Sequence, residues 1–236
     1  GLLAAVTDQE FARTSTAGLL GQTRVAPRSG WGGARVIQEI GDQGSIVGAH
    51  LTVVHRGMDP DDPLAAVLSR NAITAGADGR IRFADRAYEA SFNVGLTHID
   101  GEQEAVAGYQ LRNSRLFQRV DQPVIRFDPS RRALDGLQVT GRISKIAGRH
   151  WLWNANMMIE SPEFEPSDFG RLNFAGDYTW RAQLTYRETA PGRFLRAYSF
   201  GPNLSHYSYF DRSLGNRYNV GLNSSFTFLN FWSTSF

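Results

Sequence analysis

The chain contains no cysteine. This excludes a disulfide framework and any thiolate metal site. Lysine is almost as scarce: Lys145 is the only one, so arginine supplies nearly all the positive charge. The formal net charge is only +2 over 236 residues, which makes no case for a nucleic-acid partner. No apolar run reaches the roughly 18 residues that a membrane-crossing helix needs. The histidines His50, His55, His98, His150 and His206 are scattered without HExxH spacing, and no glycine-rich phosphate loop follows a strand and opens a helix. Asp59, Asp61 and Asp62 lack the glycine and terminal glutamate of an EF-hand loop and read as a solvated acidic loop. No metal or cofactor is expected.

What the chain does have is alternation. In 177–187, Tyr178, Trp180, Ala182, Leu184 and Tyr186 fall on one face, and Thr179, Arg181, Gln183, Thr185 and Arg187 on the other. A period of two is the signature of a strand with one oily and one wet side. The pattern recurs at about 2–7, 33–39, 45–55, 71–83, 87–98, 137–146, 150–160, 194–206 and 217–229, and 231–236 opens one more strand. A polar, glycine-rich connection is expected from 8 to about 32, a short helix within 102–118, and irregular backbone at Pro123 and Asp128-Pro129. Short turns at 41–44, 84–86, 147–149 and 188–193 alternate with long connections at 8–32, 56–70, 99–135, 161–176 and 207–216. Outer-membrane barrels sort their connections this way, with short turns on one rim and long loops on the other. A mean hydropathy of −0.33 does not argue against this, because half of each barrel strand faces water.

The expected fold is therefore all-β: an antiparallel transmembrane β-barrel, seen as a segment of ten or eleven strands in a single domain. Its lumen-facing candidates are Asp78, Arg80, Arg82, Glu89, Asn93, Arg142, Asn154, Asn156, Glu160, Arg181, Arg187, Asn203, Asn219 and Asn223. Their charges either favour anionic solutes or pair across strands and hold the wall together. The lipid-facing and girdle candidates are Tyr88, Phe92, Trp151, Trp153, Tyr178, Trp180, Tyr186, Tyr218 and Phe226. Indole and phenol rings suit the headgroup layer because they are apolar with one polar tip. Packing of Trp180, Phe92 and Val220 against a second layer of the same molecule would instead mean a soluble sandwich.

Three stretches resemble a known family. They are Gln110-Leu111-Arg112-Asn113-Ser114-Arg115-Leu116-Phe117-Gln118-Arg119, Ser161-Pro162-Glu163-Phe164-Glu165-Pro166-Ser167-Asp168-Phe169-Gly170 and Phe228-Leu229-Asn230-Phe231-Trp232. In this order and spacing the chain resembles an uncharacterised outer-membrane β-barrel family whose members carry an N-terminal family-9-type carbohydrate-binding-like module. The resemblance implies that the chain is an internal piece with more barrel on both sides. It brings no catalytic residues.

The function these readings lead to is an outer-membrane pore or transport/export component of a Gram-negative bacterium. Its partners would be the lipid bilayer and polar solutes, with a carbohydrate link implied by the resemblance alone. Two other classes stand beside it. One is a non-conducting scaffold barrel for partner proteins, which a lumen blocked by 99–135 would favour. The other is a barrel hydrolase built on a serine–histidine pair, with His98 or His206 as its base.

Overall fold

Wherever alternation is strong, the chain is extended. The computed structural model describes residues 1–121, 125–166, 168, 170–212 and 215–236, without the Thr16 side chain. Pro123 lies outside the described residues. The order is β1 (Leu2–Thr7), β2 (Glu10–Thr16), β3 (Leu19–Ala26), β4 (Ser29–Ile40), β5 (Ser45–Arg56), β6 (Asn71–Phe83) and β7 (Tyr88–Asp100). Then come α1 (Gln103–Gln110), β8 (Ala133–Lys145), β9 (Trp151–Glu160), β10 (Asp177–Glu188), β11 (Leu195–Tyr209), β12 (Arg217–Phe228) and β13 (Ser233–Ser235). Eleven strands make one sheet, ordered β1-β4-β5-β6-β7-β8-β9-β10-β11-β12-β13. Every neighbouring pair in it is antiparallel.

Two expectations need correction. The sheet is open: β1 and β13 are its edges, and each pairs on one side only, so the described chain is not a closed barrel. The stretch 8–32 is not simply a connection. β2 and β3 form a separate hairpin there, turning through Ala17 and Gly18 with φ of 51° and 83°, and β4 starts already at Ser29. Two successive positive φ values make the tight turn whose twist matches the flanking strands. Short strands that pair only with each other, and whose apolar residues do not alternate with polar ones, leave little hydrophobic pattern to read.

The register carries the alternation across the whole sheet. On one face, Leu51 stands opposite Ala34 and Ala75, Phe92 opposite Gly79 and Gly141, and Trp180 opposite Met157. Farther on, Leu204 stands opposite Ala182 and Val220. Phe92 is 41% exposed, Val220 80%, and Trp180 half-buried, so no second layer covers this face. On β6 the apolar row runs from Ile73 to Phe83. At ~3.3 Å per residue, such a row is about 33 Å long.

The strand ends are also staggered. One transverse row passes through Glu39, Ile46, Arg80, Ser91, Arg142, Asn156, Arg181, Ser205 and Asn219. Glu39 lies one residue before the end of β4, and Asn219 nine before the end of β12. The ends thus shift by eight residues over the eight steps from β4 to β12. One residue per strand, ~3.3 Å along for ~4.8 Å across, tilts the strands by about 35° from the perpendicular to the line of their ends.

The buried core lies on the opposite, polar face, at the end of the sheet where the long connections gather. Trp31, Val54, Ala72, Ile99 and Leu134 pack there with Val106 and Tyr109 of α1. Val106 and Tyr109 are three apart, so they share one side of the helix. The Tyr109 hydroxyl accepts the Ser69 N–H at 3.3 Å, which ties α1 to the connection before β6.

One point in the wall is tight. Gly201 and Pro202 sit in the middle of β11, where the ladder to β10 lacks pairs between Gln183–Asn203 and Tyr186–Phe200. Proline removes a ladder donor and is confined to such interruptions. A Cβ at Gly201 would strike the Leu184 carbonyl. Gly201→Ala is expected to destabilise the chain by about 2 kcal/mol or more through backbone displacement. Urea unfolding of the variant checks this; an unchanged midpoint would mean that the strand yields freely.

Candidate functional site

Loops from the long-connection end fold back over the polar face as a cap. Its centre is Arg115, whose side chain is 0% exposed, paired at 2.7 Å with Glu165, whose side chain is 2% exposed. The same guanidinium donates to the carbonyls of Pro162 and of Phe164, the latter at 2.8 Å. Arg112 donates to Glu165 at 3.2 Å and lies 4.0 Å over the Tyr109 ring. The Glu165 N–H is accepted by Thr97 Oγ1 on β7 at 3.0 Å, and the Ser161 hydroxyl accepts the Leu137 N–H of β8 at 2.9 Å. A planar fork suits this place because it can satisfy a carboxylate and two carbonyls at once.

Two further ties hold the cap to the sheet. Arg56, at the end of β5, pairs with Asp168 and donates to the Ser69 carbonyl and hydroxyl at 3.0 and 2.9 Å. Gly136 makes the close approach possible: a Cβ there would run into the Phe164 backbone. The Gln110 side chain clamps the return segment, donating to the Asp128 carbonyl at 2.9 Å and accepting its N–H at 3.0 Å. The Asp128 carboxyl is held below the usual carboxylate range by the Ser130 hydroxyl and then the Ser130 N–H. Asp121 is likewise lowered, chiefly by its hydrogen bond to Arg119. Ser167 and Phe169, part of the second quoted stretch, lie outside the described residues.

Asp78, Arg80, Arg82, Glu89, Asn93, Arg142, Asn154, Asn156, Glu160, Arg181, Arg187, Asn203, Asn219 and Asn223 all share the polar face. The arginines on the polar face of the β4–β7 half are paired. Arg35, not anticipated from the sequence, binds Asp78 through both nitrogens, and Glu89 is 2.9 Å from Arg82 and 4.0 Å from Arg80. In the β8–β12 half, among the described residues, the Arg142 side chain donates to the Ser144 hydroxyl at 3.1 Å and the Arg187 side chain to the Gly148 carbonyl at 3.3 Å. Glu160 accepts from Gln138 at 2.6 Å.

Tyr88, Phe92, Trp151, Trp153, Tyr178, Trp180, Tyr186, Tyr218 and Phe226 all stand on the apolar face. Apart from Phe92, which lies farther in, their rings group towards its two margins. At the short-turn end the contacts run Phe83–Tyr88 (5.4 Å), Tyr88–Trp153 (6.1 Å), Trp151–Tyr186 (5.1 Å) and Tyr186–Phe200 (5.4 Å). Lys145 is level with Tyr88 and Trp153 in this belt. At the long-connection end, Trp180 and Tyr218 flank His206 at 5.9 and 4.4 Å.

A polar collar bounds the same face beyond β5–β8, and sequence reasoning missed it. His55 meets Asn71 at 2.7 Å, Asn71 donates to Asp100 at 2.9 Å, and His98 meets Asp135 at 2.7 Å. The signal was present, because these five residues continue the oily parity of their strands with polar side chains. Among the described residues, neither His98, engaged by carboxylates, nor His206, bonded to Asn216 at 3.2 Å, meets a serine hydroxyl. Asp62 caps the Leu64 N–H and pairs with Arg24, and no cluster of three metal-ligating side chains occurs among the described residues.

Residues 94–236 match a family described as a domain of unknown function, DUF5916. The chain belongs to this family. No curated protein and no solved structure matches it. The DUF5916 region holds both halves of the cap and every strand from β8 onward, so the Arg115–Glu165 pair lies wholly inside it. Membership brings no family-9-type carbohydrate-binding module and no outer-membrane location with it.

Proposed function

We propose that this chain is wall of an outer-membrane β-barrel of a Gram-negative bacterium, with lipid against its apolar face and its polar face turned to a lumen. One observation carries the reading: the register gathers the oily side chains of β4–β12 onto one uncovered face. Aromatic belts and a polar collar border it, as the headgroup layers of a bilayer require. At a tilt of about 35°, a 33 Å row such as that on β6 has a height of about 27 Å, close to the ~25 Å apolar band of such barrels. Closure needs strands beyond this open sheet, in line with the resemblance to longer outer-membrane barrels. A soluble sheet of this size would need a second layer to cover so large an apolar face.

Within that wall, the function is passage of polar solutes through a mouth narrowed by the cap. The cap also supports a second reading, a plugged barrel that serves as a platform for partner proteins. Planar-bilayer recording on the full-length protein separates the two. Stepwise conductance is expected of the pore, and folded protein that inserts without conducting is expected of the platform. Full-length protein that stays monodisperse without detergent would overturn the membrane reading altogether.

A further inference from the structure

Charge pairing on the polar face is uneven. The arginines of β4–β7 face carboxylates, as described above. In β9–β12, the polar face carries carboxylates only as Glu160 and Asp177 at the long-connection ends, beside arginines, amides, hydroxyls, small side chains and a few apolar ones such as Leu152 and Met158. Arg181 and Arg217 both line a cleft of about 320 Å³ together with Asn156, Thr179, Tyr207 and Asn219. Both arginines are exposed, and neither forms an ion pair among the described residues.

The register explains why they converge. Arg181 is level with Asn156, Ser205 and Asn219, and Arg217 is level with Tyr207 and Thr179. The two Cα positions are thus two strands and one same-face row apart, about 12 Å, within reach of two long side chains bending toward one ligand. Amide and hydroxyl groups that donate hydrogen bonds fill the space between them.

We infer that this cleft is a binding site for a multivalent oxyanion, a solute bearing several phosphate or carboxylate oxygens. Guanidinium groups stay charged and match such oxygens with paired N–H donors. Two of them without a resident carboxylate leave an anion vacancy that the paired arginines of β4–β7 do not have. Asn156, Asn219 and Tyr207 add neutral donors that orient the ligand without changing the charge. The inference rests on the lumen reading, since the polar face must be open to solute.

Calorimetric titration of the full-length protein in detergent at low ionic strength tests it, with sodium tripolyphosphate and trisodium citrate as separate probes. Saturable binding of at least one is expected, and the stronger probe tells a phosphate ligand from a carboxylate one. R181Q/R217Q is expected to weaken binding at least about tenfold, whereas R82Q, which removes a paired arginine of the same face, leaves it within about twofold. Circular dichroism establishes that both variants are folded. Failure of both probes to bind, or binding that survives R181Q/R217Q, overturns the site. Conductance is read separately: a protein that binds the probe but passes no current keeps the site and loses the pore.

Discussion

Val94→Arg is expected to destabilise the folded protein in lipid vesicles by about 2–4 kcal/mol, while Asn93→Arg, one residue away, changes it by less than about 1 kcal/mol. The two positions share a strand and differ in face. Val94 stands midway along β7, six residues from Tyr88 in one aromatic belt and six from Asp100 in the collar. Its cross-strand neighbours are Ala77 and Val139, with no acidic partner for a guanidinium. In the bilayer midplane a charge loses its water, and arginine there can recover it only by reaching a headgroup layer. Asn93 lies among Asp78 and Thr140, where an added guanidinium keeps its water. Urea titration of vesicle-inserted protein measures both variants. Equal, small effects would mean that the apolar face meets water, and the membrane reading would fail.

Arg115→Ala is expected to loosen the cap by about 3–5 kcal/mol, because it takes the Arg115 guanidinium from the buried Glu165 carboxylate and strips two carbonyls of their donor. The strand wall does not depend on this pair, so the loss is local. Hydrogen exchange should speed up in 111–118 and 161–166 and remain slow in β9 and β10. Replacing both partners, Arg115→Met with Glu165→Leu, is expected to recover much of the loss, since removing a whole buried pair costs far less than orphaning one member. In a conducting barrel, Arg115→Ala also raises single-channel conductance. Unchanged exchange in 161–166 would show that the pair does not hold the cap down.

Strand positions were largely legible, because each strand has one oily side and period two is a strong local signal. β10 illustrates this: Tyr178 to Tyr186 alternate without a break, and β10 begins at the predicted residue and ends one beyond. β8 starts at Ala133, four residues earlier than the alternation indicates, because Leu134 packs on α1 on the face that is polar farther along. The β2–β3 hairpin was illegible for the reason given above. The same holds for Arg35, which lies in a strand whose polar side shows no charge pattern until Asp78 stands two strands away.

The cap was half legible. The stretches around Arg115 and Glu165 stood out as motifs, yet they are 50 residues apart and nothing local pairs them. By itself the sequence determined that this chain makes many two-sided antiparallel strands with short and long connections in alternation, since side-chain parity and turn chemistry act over a few residues. Tertiary structure alone decided that the oily sides form one uncovered face, that the sheet stays open at β1 and β13, and which arginines have partners. Those outcomes depend on register and on contacts between residues distant in sequence, and an alternating pattern is equally compatible with every register that keeps its parity.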